Sequence, residues 1–111
     1  MAAAHIGRGS FVGASGHTLS GDFTIEQGPA GLALVLSDAF HFDGAAPAPW
    51  WAFGKRGQFD SDTLFAKLER NEGAQTAPIP AAIVVDDYDT VILWCRAVNV
   101  LLGKGAIERE A

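Results

Sequence analysis

Apolar residues fall in short runs cut by glycine, proline and small polar residues, and the longest run lies between Tyr88 and Glu108. β-branched and aromatic residues dominate its first half, Val91-Ile92-Leu93-Trp94-Cys95. That composition predicts a buried central strand rather than a helix. Period-two geometry then puts Val91, Leu93, Cys95 and Ala97 on one face and Ile92, Trp94, Arg96 and Val98 on the other. Arg96 marks where the strand reaches solvent, and Gly103-Lys104-Gly105 reads as the break that ends the run.

Upstream, His17 to Gln27 alternates, with Leu19, Phe23 and Ile25 on one side and Thr18, Ser20, Asp22, Thr24 and Glu26 on the other. This is the pattern of a half-buried antiparallel strand, with Gly21 a bulge or close-approach point. Residues 27–31 form a hairpin loop, and Leu32 to Ser37 return as a strand apolar on both faces. Phe40 and Phe42 point inward and His41 outward. The prolines of residues 45–49 exclude a central strand, and Trp50 to Phe53 form a short one ending at Gly54. Residues 61–68 fit either a short helix capped by Ser61 or Asp62, or a strand in which Leu64, Ala66 and Leu68 alternate. A turn at 71–73, a short strand over 74–79 and an acidic loop at 86–89 complete the chain.

Many short strands with no long amphipathic helix predict an all-β fold: an antiparallel β-sandwich of about 7–9 short strands, with a small closed barrel as the alternative. The divisions expected are a flexible leader over 1–10, one domain over 11–108, and a tail over 109–111.

A net charge of −5 argues against nucleic acid and anionic membrane surfaces as partners. No apolar run approaches a membrane span. The N-terminal residues lack the charged start and apolar stretch of a signal peptide. From its residues the chain therefore reads as cytoplasmic, or as exported with its signal absent from the sequence.

Cys95 is the single cysteine, which excludes dithiol exchange within the chain. Its bland role is a small buried hydrophobe. Its chemical role would be a redox thiol forming a sulfenate or a mixed disulfide, which needs a lowered pKa and access. His17 is either a hydrogen-bonded structural histidine or, if near Cys95, a base for it. A copper set of His17, His41 and Cys95 is disfavoured, because such sandwiches place a His and usually a Met soon after the Cys. Residues 96–111 contain neither. No cofactor and no metal site is expected. Asp86, Asp87 and Asp89 lack the glycine turn and terminal acid of an EF-hand. Trp50 and Trp51 are a candidate aromatic platform, of which at most one need be core, and Trp94 is expected to pack in the core. Serine-hydrolase patterns, phosphate loops and paired catalytic acids are absent, so a complete enzyme is not indicated.

Phe11 to Gly21, F-V-G-A-S-G-H-T-L-S-G, fits the pattern F-x-G-x-x-x-H-x-x-S/T-G. The acidic loop, Tyr88, V-I-L-W-C and then Asn99-Val100 with Gly103 follow a second pattern. Together these resemble the DM13 domain, a family labelled electron transfer, in its bacterial single-domain form, over roughly Ser10 to Glu108. Of the Pro-Asp that usually precedes the family's middle strand, the Asp is missing here and two tryptophans stand instead. The resemblance implies an accessory redox module in which Cys95 carries the chemistry, with an unidentified redox or protein partner. It also implies a periplasmic or extracellular setting. The alternative is a non-catalytic extracytoplasmic binding or adhesion domain with a structural cysteine.

Overall fold

A computed structural model describes residues 4–109. Its strands are β1 (Ala4–Ser10), β2 (Val12–Gly13), β3 (Leu19–Ser20), β4 (Asp22–Gly28), β5 (Gly31–Leu36), β6 (His41–Phe42) and β7 (Pro49–Lys55). They continue as β8 (Gln58–Phe59), β9 (Ala66–Lys67), β10 (Gln75–Pro78), β11 (Thr90–Cys95), β12 (Val100–Ala106) and β13 (Glu108–Arg109). One antiparallel sheet runs β10-β5-β4-β1-β13 and the other β2-β12-β11-β7-β8, with β9 also pairing β7. A two-stranded ribbon, β3-β6, stands apart. Neither sheet closes into a barrel, and the architecture is the expected β-sandwich.

The parity expected for the central strand holds. Val91, Leu93 and Cys95 of β11 belong to the core cluster, together with Trp51 and Phe53 of β7 and Phe23, Ile25, Leu34 and Leu36 from the facing sheet. Phe11 bridges the layers, its ring centroid 4.8 Å from that of Phe23 and 5.4 Å from that of Trp51. Phe40 and Phe42 are buried as expected.

Four expectations are corrected. Ala4–Ser10, placed in a flexible leader, is a strand that pairs with β4 along its length. Its small and polar residues carry little alternation, so its register is specified by its partner. Residues 1–3 of the expected leader, and 110–111 of the expected tail, lie outside the described residues. Second, Gly103-Lys104-Gly105 does not end the run but lies inside β12. The break is the turn Arg96 to Asn99, in which Asn99 adopts φ 54, a left-handed conformation that asparagine tolerates. The glycines of β12 are sites of close approach. A Cβ on Gly103 would lie 2.4 Å from a Leu19 methyl, and one on Gly105 2.7 Å from the Phe23 ring. A bulge at Leu93/Trp94 leaves Leu102 unpaired and fully buried in the core.

Third, the segment at 61–68 is neither alternative alone. Ser61–Thr63 is one 3-10 turn capped by the Asp60 carboxylate, not by Ser61 or Asp62, and Ala66–Lys67 then pair with β7. Fourth, Trp94 is outside the core. It lies on the outer face of its sheet, half-buried and stacked on Phe59 with centroids 3.9 Å apart and planes 8° from parallel. Ile92 and Ala52 pair in register on that same face, and both are wholly buried although outside the core cluster.

Candidate functional site

Cys95 is the last residue of β11, and the four residues after it form an exposed turn. The residue is fully buried, yet it sits at the rim of the sandwich rather than at its centre. Arg96 N–H donates to the Ala48 carbonyl at 3.0 Å, which ties the turn to the segment before β7. Burial pushes the Cys95 thiol up, but hydrogen bonds from the backbone of Val98, Ala48 and Ala97 together outweigh it and hold the thiol below its ordinary value. The sulfur thus lies in a small nest of backbone dipoles suited to a thiolate.

His17 is engaged elsewhere. Its Nδ1 lies 3.3 Å from Asp43 Oδ1, and its ring is 5.9 Å from that of Phe42. Backbone hydrogen bonds from Ala45 and Thr18, ahead of the histidine itself, hold the Asp43 carboxyl below the usual aspartate value. Among the described residues no hydrogen bond joins His17 to Cys95. His41 Nδ1 contacts Glu72 Oε1 at 2.9 Å. The three side chains weighed as copper ligands therefore each have a different set of partners. No group of three or more His, Cys, Asp or Glu residues is gathered closely enough for a metal ion among the described residues.

Trp51 cannot serve as a platform, because it is 1% exposed and packs on Phe11 and Phe40. Adjacent strand residues face opposite ways, so Trp50 points outward. There it is half-buried, with the Arg96 guanidinium 4.5 Å from its ring centroid. Trp50 and Trp94 are directly opposed across β7 and β11. Trp50, Trp94, Phe59 and Arg96 thus share an aromatic face that sequence reasoning divided between platform and core. The signal was present in their common parity.

The acidic loop is likewise dispersed. Asp86 pairs with Arg109 at 3.6 Å, whereas Asp89 holds the hairpin between β7 and β8. Both its oxygens accept the Arg56 backbone N–H, at 2.8 and 3.0 Å, and Oδ1 accepts the Thr90 hydroxyl at 2.7 Å. Arg56 and Gly57 have φ 54 and 75, the geometry of a type I′ turn. The Thr90 hydroxyl, and next the Arg56 N–H, hold the Asp89 carboxyl below its usual value. A depressed folded-state value means that the stabilisation is present above the ordinary aspartate pKa and is lost as acid protonates the folded chain. Asp89→Asn is therefore expected to lower stability at neutral pH, with the deficit narrowing in acid. Denaturant melts of both proteins at the two pH extremes check this; a deficit that widens in acid would count against it.

A family model described as "Electron transfer DM13" matches residues 10–107 of the chain. No curated protein and no solved structure matches it.

Proposed function

The chain belongs to the DM13 family of electron-transfer domains, and from that premise we propose that it is an accessory redox module whose working group is the Cys95 thiolate. The feature that supports this reading is a thiol at a strand end beside the exposed turn Arg96 to Asn99, raised by burial but held below its ordinary value by backbone groups of Val98, Ala48 and Ala97. With one cysteine in the chain, the chemistry is exchange with a partner disulfide. The Cys95 thiolate attacks one partner sulfur, the partner S–S bond breaks, and the other sulfur leaves as a thiolate. Cys95 is oxidised into a mixed disulfide as the leaving sulfur is reduced. A separate dithiol reductant completes the transfer: one of its thiolates attacks the Cys95 sulfur and releases the partner as a dithiol, and its second thiolate then displaces Cys95 as the reductant's own disulfide closes. No imidazole base is required where the backbone already favours the thiolate, and His17 is left to its contact with Asp43. Partner disulfides persist in oxidising compartments, which supports a setting outside the cytoplasm for this reading.

Because Cys95 is fully buried, attack needs the exposed turn at Arg96 to Asn99 to open locally. The test is the maleimide labelling rate of the native protein against pH, with unfolded protein as reference. The expected result is labelling far faster than global unfolding, with a midpoint below the free-thiol value of about 8.5. Labelling only at the rate of global unfolding would overturn the redox reading. A second reading rests on the same burial together with the outward Trp50: a non-catalytic binding domain with a structural cysteine. That outcome of the labelling experiment would favour it.

A further inference from the structure

A groove of about 730 Å³ opens on the outer side of the β2-β12-β11 sheet. Its apolar wall is formed by Val12, Ala106 and Ile107, and its charged wall by Arg56, Lys104 and Asp89. Val12 is 68% exposed, so an apolar surface faces solvent beside two cations. On a chain of net charge −5, this groove has two cations against one carboxylate.

That carboxylate is already engaged. Asp89 accepts the backbone N–H of Arg56 and the hydroxyl of Thr90, while Gly57 N–H donates to Thr90 Oγ1 at 3.2 Å. These bonds fix the hairpin backbone, and the Arg56 guanidinium interacts with Asp89 through charge attraction without a side-chain hydrogen bond. Lys104 projects over the same hairpin, its Nζ 2.7 Å from where a Cβ on Gly57 would lie. Among the described residues neither side chain makes a hydrogen bond or an ion pair. By contrast, Arg109 pairs with Asp86, and Arg96 and Lys55 cover aromatic rings. Two like charges held beside one hairpin, facing a single carboxylate whose oxygens already accept hairpin hydrogen bonds, favour an anion between them.

We propose that this groove binds an amphiphilic organic anion, its anionic head between Arg56 and Lys104 and its apolar body on Val12, Ala106 and Ile107. The site is separate from the thiol. Thr90 opens β11 and Cys95 closes it, which at about 3.3 Å per residue is about 17 Å apart. The inference therefore stands or falls independently of the redox reading.

Octanoate is the probe, titrated by amide chemical-shift changes, with octanol supplying the tail alone and inorganic phosphate a head alone. Lys104→Met and Arg56→Asn remove the cations, asparagine being tolerated at the positive φ of residue 56; Val12→Ser removes apolar wall. Expected are shifts confined to residues lining the groove, at least tenfold weaker octanoate binding in each cation variant, and weaker binding in Val12→Ser. Both control ligands should bind more weakly than octanoate. Equal octanoate affinity in wild type and cation variants, octanol or phosphate binding as well as octanoate, or no shifts at millimolar octanoate would each overturn the proposal.

Discussion

Trp51→Ala is expected to cost about 3–5 kcal/mol, the range for emptying a large aromatic site in a core. That is a large fraction of the roughly 5–15 kcal/mol that holds a typical domain folded. Trp51 is 1% exposed, lies opposite Leu93 on β11, and has the rings of Phe11 and Phe40 at 5.4 and 5.9 Å. The two rings that touch it pack on each other, and Phe11 also on Phe23, which limits how far they can move into the vacated volume. Trp50→Ala is the matched control. It removes a half-buried side chain and its stacking with Arg96, an interaction of about 0.5–1 kcal/mol at exposed sites. The comparison is made by urea unfolding of both variants. A cost at Trp50 equal to that at Trp51 would mean that the inward and outward faces of β7 have been assigned wrongly.

Gly21→Ala is expected to cost about 2–6 kcal/mol, from two additive sources. The backbone there has φ 98, where an L side chain is strained by about 1–3 kcal/mol. The added methyl would also lie 2.6 Å from Phe40 Cα and 2.7 Å from the Ala39 carbonyl oxygen, an overpacking of about 1–3 kcal/mol against backbone that cannot rotate away. The same position accepts the Phe11 N–H through its carbonyl at 2.9 Å, so a shift there disturbs the residue that joins the two sheets. Gly31→Ala separates the sources. Its φ is 115, but nothing lies within 4 Å of its added Cβ, so it should show strain alone. If the two substitutions cost the same in denaturant melts, the close approach of Gly21 to Phe40 contributes nothing.

The motif glycines thus acquire a physical reason. Gly13 is excluded from bearing a side chain because its Cβ would meet the His17 carbonyl oxygen at 2.0 Å, and Gly21 because of its φ and the Phe40 backbone. Both belong to the opening pattern Phe11 to Gly21 that carried the family resemblance. What that pattern encodes is the tight path that brings Phe11 into the core.

The all-β class, the sandwich and the alternation of β4 and β11 were legible in the residues because side-chain direction along a strand is local. Period two placed Cys95 with Val91 and Leu93, and Trp94 with Ile92 and Arg96, before any neighbour was known. Which of those faces is covered was not local. Phe59 comes from β8 to stack on the outward Trp94, a contact that spacing along the chain does not announce. β1 was illegible for a related reason: His5 to Ser10 carry little pattern of their own and become a strand through pairing with β4. Lys104 between two glycines resembled a turn, although the glycines serve Leu19 and Phe23, distant in sequence. The backbone nest at Cys95 and the groove at Arg56 and Lys104 belong to the same class. The first joins Ala48 to the turn after β11, the second joins β2, the β7–β8 hairpin and β12. Residue pattern was enough for the fold class and for side-chain direction along β4 and β11. Tertiary structure decided what each side chain meets, because those partners are set by chain closure across the sandwich rather than by spacing along it.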